Sequence, residues 1–218
     1  MVGWQSALGV HLGEALRTAL DTSMQPVRRH SLFFEPLSSS KVRLGLTAPA
    51  SAEHCGVSEL RYYSAGRELP RDPAWRLSAA PNPWDVPLAF DNSPLTRWDS
   101  WQRSGPGMYI EVDFSRMEKL DRVTADTNSS EAGVRFVLST RRDSGSPWQH
   151  VQIRTEVTDN PMPPRLRRAA IEELARHDIS ALAIHDLDPG ATDFRKRQAQ
   201  WGIELAGTSG RYRLYLFK

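Results

Sequence analysis

Gly107-Met108-Tyr109-Ile110-Glu111-Val112-Asp113-Phe114-Ser115 is the stretch on which the fold turns. Met108, Ile110, Val112 and Phe114 alternate with Tyr109, Glu111 and Asp113. A period of two puts the apolar set on one face of an extended strand and the polar set on the other. A strand that is half apolar in this way suits an antiparallel layer with one wet face rather than a parallel sheet covered on both sides. The pattern recurs outward in both directions. Upstream, residues 41–47 place Val42, Leu44 and Leu46 on one face, and residues 57–64 and 75–79 follow. Downstream lie residues 120–126, 134–140 and 148–157. Turn signals separate them: Ala65-Gly66, Pro81-Asn82-Pro83, Gly105-Pro106-Gly107, Asn128-Ser129-Ser130 and Asp143-Ser144-Gly145. Short alternating strands at this spacing predict a mainly β protein, an antiparallel sandwich or barrel over residues 41–160, and the polar face of each strand fits a two-layer β-sandwich.

The flanks read differently. Residues 1–40 form a lead-in. Within it, Leu8, Leu12, Leu16 and Leu20 recur at helical spacing, weakened by Gly9 and Gly13, and a strand-and-loop entry is the alternative. Ser38-Ser39-Ser40 reads as a turn. After the stiff linker Asn160-Pro161-Met162-Pro163-Pro164, residues 161–218 predict a small α/β unit in the order α-β-α-β-β. Residues 165–177 carry Leu166, Ala170, Ile171 and Leu174 on one helical stripe. Residues 181–185 form a short strand, and Asp188-Pro189 opens a second helix as N-cap and first-turn proline. Phe194 and Trp201 point inward from that helix, Gly202 ends it, and a hairpin turns at Thr208-Ser209-Gly210. A unit this small has a thin core and is expected to pack on the sandwich.

Composition narrows the function. The 218 residues carry a formal net charge of +2, so no strong basic field draws nucleic acid, and none is expected as a partner. Cys55 is the single cysteine, which excludes an internal disulfide and any multi-cysteine metal site. No apolar run approaches the ~20 residues of a membrane span. The opening MVGWQSALGV has neither a basic leader nor a cleavage-site pattern. Phosphate-loop, GxGxxG, GxSxG and HExxH motifs are absent. Cys55 beside His54 lacks an orienting group and reads as an ordinary cysteine rather than a nucleophile. In His185-Asp186-Leu187-Asp188 the acidic pair has the spacing of a metal-holding Asp-x-Asp, but the capping role of Asp188 favours a structural reading. No catalytic residue is assigned, and an enzyme is not expected. Trp75 and Trp98 sit in or beside strands and read as core. Trp84 and Trp101 sit in Pro-, Ser- and Gly-rich loops, where an indole can be a platform for a sugar ring.

Leu88-Ala89-Phe90-Asp91-Asn92-Ser93-Pro94-Leu95-Thr96-Arg97-Trp98 resembles the signature of the discoidin, or coagulation-factor type C, family. Residues 107–115 and Leu120-Asp121-Arg122-Val123 are similar to the two strands that follow it there. The resemblance covers about 60 residues. One departure is Asn92 directly after Asp91, where the family has glycine and then asparagine. The family implies a galactose-binding-like jelly roll, non-catalytic and outside the cytoplasm, whose loops at one end bind glycans, phospholipids or proteins. Its terminal strands have their counterparts upstream of the signature here, in Lys41-Val42-Arg43-Leu44-Gly45-Leu46 and Val57-Ser58-Glu59-Leu60-Arg61-Tyr62-Tyr63. Either the jelly roll is circularly permuted or residues 1–70 end a truncated preceding domain. Permutation is favoured, because a sandwich lacking two strands would expose raw edges. The tail, from Leu182-Ala183-Ile184-His185-Asp186 to Arg213-Leu214-Tyr215, resembles the soluble C-terminal end of bacterial multi-spanning glycosyltransferase-like membrane proteins. That resemblance implies a membrane-anchored parent as a partner.

The expected function is a carbohydrate- or glycoconjugate-binding module located extracytoplasmically, in the periplasm or at the cell surface. The alternative is a structural accessory domain of a membrane glycosyltransferase with no free ligand of its own. Trp84 and Trp101 are the expected platform, with Asn82, Gln102 and Arg103 supplying polar contacts. The family resemblance further implies a structural Ca2+. Its ligands map to the carbonyls of Ala89 and Asn92 and the side chains of Asp91, Thr96 and Glu59. The alternative there is that Asp91 caps its own turn and Arg97 neutralises Glu59.

Overall fold

A computed structural model describes residues 15–17, 19–20, 27–46, 55–103, 105–128, 133–160, 165–188 and 190–218. The expected linker 161–164, Pro189, turn residues 129 and 130, His54, and the expected N-terminal helix apart from residues 15–17, 19 and 20 lie outside them. The chain divides into two compact units, Pro26–Pro161 and Met162–Lys218 with Met1–Gln25.

The first unit is mainly β and antiparallel, as the alternation predicts. Its frame is a pair of long strands, β1 (Val27–Leu46) and β7 (Tyr109–Asn128). Between them in the chain come β2 (Gly56–Val57), β3 (Glu59–Ser64), β4 (Arg67–Glu68), β5 (Arg76–Ala80) and β6 (Trp98–Asp99). After β7 come β8 (Phe136–Arg141), β9 (Gln149–Val151) and β10 (Arg154–Asn160). Residues 27–33 of β1 lie between β10 and residues 122–128 of β7, with β3 and then β4 beyond. Residues 41–46 of β1 lie between β8 and the start of β7, with β5 and β9 outside. The result is two sub-sheets, β4-β3-β7-β1-β10 and β5-β7-β1-β8-β9, that share one strand pair. Leu32, Leu60, Tyr62 and Val123 of one sub-sheet join Val42, Leu44, Ile110 and Leu138 of the other in a single buried core. The shared pair therefore folds one sub-sheet over the other, a sandwich-like arrangement in which strands turn the corner at bulges.

The corner does not fall where the turn signals suggested. The strand begins at Val27, well inside the expected lead-in of residues 1–40. The β1–β7 register slips between Phe33 and Leu37 and again between Ser39 and Lys41. Pro36 falls in the first slip, where its missing N–H costs no ladder bond. Ser39 serves the second: its hydroxyl donates to the carbonyls of Lys41 (2.7 Å) and Arg141 (2.9 Å). The serines read as a turn thus form a bulge. Residues 109–114 and 120–126 likewise belong to one strand, β7. The irregularity between them is Ser115, at φ 60°, whose N–H donates to Asp113 Oδ1 at 2.9 Å.

The second unit holds α1 (Leu166–Arg176), β11 (Ala181–His185), α2 (Ala191–Lys196), α3 (Gln198–Trp201), β12 (Ile203–Ser209) and β13 (Tyr212–Phe217). Its sheet order is β11-β13-β12. The expected second helix is two short ones. Phe194 and Trp201 are buried against each other at 4.4 Å, and Gly202 at φ 70° ends the second. Asp188 does not cap that helix. Its carboxylate accepts the His185 N–H at 2.8 Å, and the N-cap is Gly190 at φ 83°. A side chain at Gly190 would also meet Leu20 Cδ1 at 2.4 Å, so both conformation and space require glycine.

Candidate functional site

The loops expected to bind a ligand are built around Trp98. It is fully buried, and its indole N–H donates to the Asn82 carbonyl at 2.7 Å. Asn82 returns the connection. Its Nδ2 donates to the carbonyl of Asp99 and to Asp85 Oδ2, both at 2.8 Å, while its Oδ1 accepts from the N–H groups of Trp84 (3.2 Å) and Asp85 (3.4 Å). Ser100 fastens the other side: its hydroxyl accepts from the Cys55 N–H at 3.0 Å and donates to the Gln102 carbonyl at 2.7 Å. The loops that hold residues 82–85 and 98–102 are thereby bonded into one body. Trp84 and Trp101 project from it, 76% and 60% exposed. Trp101 adopts φ 54°, and its N–H donates to Asp99 Oδ1 at 2.8 Å. A left-handed bulky residue carries a conformational cost, which this network holds in place.

Among the expected contacts, Gln102 and Arg103 are exposed next to Trp101. Asn82 is corrected: it is 1% exposed, and both its amide nitrogen and its carbonyl oxygen are bonded within the loops. It positions the platform and does not face a ligand. Its placement between two prolines resembles an exposed turn, which is why the sequence misleads there.

The residues expected around Ca2+ separate into two groups. Asp91 Oδ1 accepts the Ser93 N–H at 2.9 Å, and Asp91 Oδ2 accepts the Thr96 hydroxyl at 2.6 Å. Asn92 takes φ 58°, so it fills the left-handed position expected of glycine. Ala89 lies in a buried 3-10 turn, Val86–Ala89. Glu59 is buried, and its Oε2 accepts from Arg71 Nη2 at 2.8 Å, with Arg61 Nη2 at 3.5 Å. Burial pushes its carboxyl up to about 7 against the pull of Arg61 and Arg71, and Asp91 and Asp126 add to the rise. Glu59 is thus electrostatically coupled to Asp91, but the cation beside it is a guanidinium. Arg71, not Arg97, is its partner; Arg97 Nη2 lies 3.8 Å from Asp99 Oδ2. The residues do not fit the ion, because the protein supplies the compensating charge and Asp91 is spent on its own turn. No group of three or more His, Cys, Asp or Glu able to hold a metal occurs among the described residues. Neither EDTA nor millimolar Ca2+ is expected to move the unfolding midpoint; a rise with Ca2+ that EDTA reverses would contradict this assignment.

Arg71 is the residue that reading the sequence missed. Its guanidinium lies 4.9 Å over the Phe90 ring, and burial lowers its tendency to stay charged despite Glu59. Glu59 Oε1 and Arg71 Nε and Nη1 are buried and have no hydrogen-bond partner among the described residues. No local spacing announces such a pair, since the partners lie on different segments of the chain.

The remaining candidates are structural. Cys55 is fully buried in the core, and its backbone carbonyl accepts from the Ser100 N–H. Asp186 is bonded by Arg213 at 2.8 Å, and Asp188 by the His185 backbone, so each acid of the Asp-x-Asp pair is engaged locally. On the outer face of the β5-β7-β1-β8-β9 sub-sheet, Arg43 pairs with Glu111 at 2.7 Å and lies between the rings of Tyr109 and Trp148, at 4.1 and 4.3 Å. No helix among the described residues is long and apolar enough to cross a membrane. No family model, curated protein or solved structure matches the chain.

Proposed function

We propose that this chain is a non-catalytic extracytoplasmic binding module that takes a carbohydrate or glycoconjugate on the loops carrying Trp84 and Trp101. The observation that supports the reading is that both indoles are exposed on loops bonded to each other and anchored by buried Trp98 and Asn82. An indole face covers the apolar face of a sugar ring, and a few polar groups at its edge set orientation. Gln102 and Arg103 are placed to supply them. Because the loops are already tied, little ordering opposes binding. The resemblance to discoidin domains, with their galactose-binding-like jelly roll, belongs to the same proposal, as does a membrane-anchored parent. The competing accessory-domain reading calls for tryptophans packed beneath the loops, and their exposure weighs against it.

Fluorescence titration of the purified chain with common mono- and disaccharides tests the site. Trp84→Ala and Trp101→Ala are each expected to weaken binding at least about tenfold, the loss of a central aromatic contact. Neither is expected to shift the unfolding midpoint, since exposed side chains away from structural features change stability by about 0.5 kcal/mol or less. Unchanged affinity in both variants would count against the site.

A further inference from the structure

The fold corner creates a second feature that the sugar reading does not use. An open concavity of about 370 Å³ is lined by Lys41, Arg76, Arg116 and Arg142 together with Asp113 and Asp143. Four cations face two carboxylates, and both carboxylates are occupied. Asp113 accepts from Lys41 Nζ at 2.8 Å and from the Ser115 N–H. Asp143 holds its own turn, accepting from the N–H groups of Gly145 and Ser146 and from the Ser146 hydroxyl. Arg116 bridges Glu118 at 2.5 Å and Asp72 at 3.6 Å. Arg76 and Arg142 are exposed, and neither has a carboxylate within 4.0 Å among the described residues. With Glu118 and Asp72 counted, four carboxylates meet the four cations; Arg76 acts on Asp113 only at longer range, and Arg76 and Arg142 are the two cations that none of these carboxylates approaches within 4.0 Å.

Their placement follows from the sheet. Arg76 on β5 lies opposite Asp113 of β7, Asp113 opposite Lys41 of β1, and Lys41 opposite Arg141 of β8, with Arg142 next in the chain. The two guanidinium groups thus rise from opposite rims, and the Lys41 ammonium lies between them. Three cationic donors arriving from different sides match a group with three or four oxygens pointing in different directions better than a planar carboxylate. We propose that this concavity is a binding site for a tetrahedral oxyanion, a sulfate or phosphate group, with Arg76 and Arg142 as its ion-pair partners. The site stands independently of the sugar-binding loops.

Calorimetric titration with inorganic sulfate and inorganic phosphate at constant ionic strength tests it, with acetate as the planar control. The wild-type chain is expected to show saturable binding of sulfate or phosphate and none of acetate. The Arg76→Gln/Arg142→Gln variant is expected to bind at least about tenfold more weakly, the ratio for losing one charge-assisted hydrogen bond or more. Arg67→Gln, an exposed arginine on β4, is expected to bind as the wild type does. Sulfate also stabilises proteins by exclusion from their surface, so a thermal shift shared equally by the wild type and the double variant does not support the site. Both variants keep the fold, because the replaced side chains are exposed, and circular dichroism verifies this. Equal affinity of wild type and double variant, or acetate binding as tightly as sulfate, would overturn the proposal. A sulfated disaccharide that outcompetes inorganic sulfate assigns the group to a glycan, and a phosphorylated one that does so assigns it to a phosphate ester.

Discussion

Trp98→Ala is expected to lower the unfolding free energy by about 3–5 kcal/mol, the range for emptying a large buried aromatic site. Trp98 is fully buried in the core that both sub-sheets share, and its strand β6 pairs with β2 through Val57. Its loss also takes the donor from the Asn82 carbonyl, so the loops that present Trp84 and Trp101 lose their anchor. Urea unfolding measures the first effect. A loss under about 1 kcal/mol would mean that the site collapses freely and that the loops do not depend on it. Trp98→Phe keeps much of the volume and removes the N–H, so it separates the packing contribution from the bond.

The second large effect concerns Glu59 and Arg71. Glu59→Met leaves a half-buried guanidinium without its carboxylate, and Arg71→Met leaves a buried carboxylate beside Arg61 alone. Each single change is expected to cost about 3–5 kcal/mol. The double change is expected to be neutral or to stabilise by about 1–4 kcal/mol, because the pair holds buried polar atoms with no hydrogen-bond partner among the described residues. Both partners point the same way: burial outweighs attraction for Glu59 and for Arg71. A double variant as unstable as the sum of the singles would show that the pair is a net stabiliser.

The same carboxyl predicts a pH signature. Glu59 titrates near 7 in the folded chain against an ordinary value of 4.5, so the folded state takes up the proton first. Its contribution to stability is fully present below about 4.5 and is lost as pH rises through about 7. His30 is its opposite. Burial, and then the charge of Arg28, lower its imidazole to about 4 from 6.5. Its contribution is present above about 6.5 and is lost as pH falls through about 4. Between pH 4.5 and 6.5 the two therefore oppose each other, and the wild-type midpoint should vary little on their account. Glu59→Gln is expected to lose stability as pH falls across that window, and His30→Gln to gain it. Parallel slopes in the two variants would contradict the assignment.

The sheet could be read from its alternation, since Met108, Ile110, Val112 and Phe114 all lie in the buried core where the period of two put them. The corner could not. Pro36, Ser39 and Ser115 are turn formers by local chemistry, and only pairing across the sheet makes them bulges within continuous strands. The same distinction governs the site. Trp84 and Trp101 were legible because Pro-, Ser- and Gly-rich loops lack the periodicity that buries an indole. Asn82 was not, because its burial depends on strand β6 arriving beside it, where its Nδ2 donates to the Asp99 carbonyl. Arg71, Arg76 and Arg142 look like ordinary surface arginines along the chain. Their roles arise from the fold, which sets Arg71 against Glu59 and brings Arg76 and Arg142 to one concavity.

The most direct test of the central claim is a glycan array probed with the purified chain and, in parallel, with its Trp84→Ala/Trp101→Ala variant. The proposed site predicts that the wild-type chain retains a defined subset of glycans and that the variant, with an unchanged unfolding midpoint, retains none of them. An array with no bound glycan, or the same subset held by the variant, would contradict it.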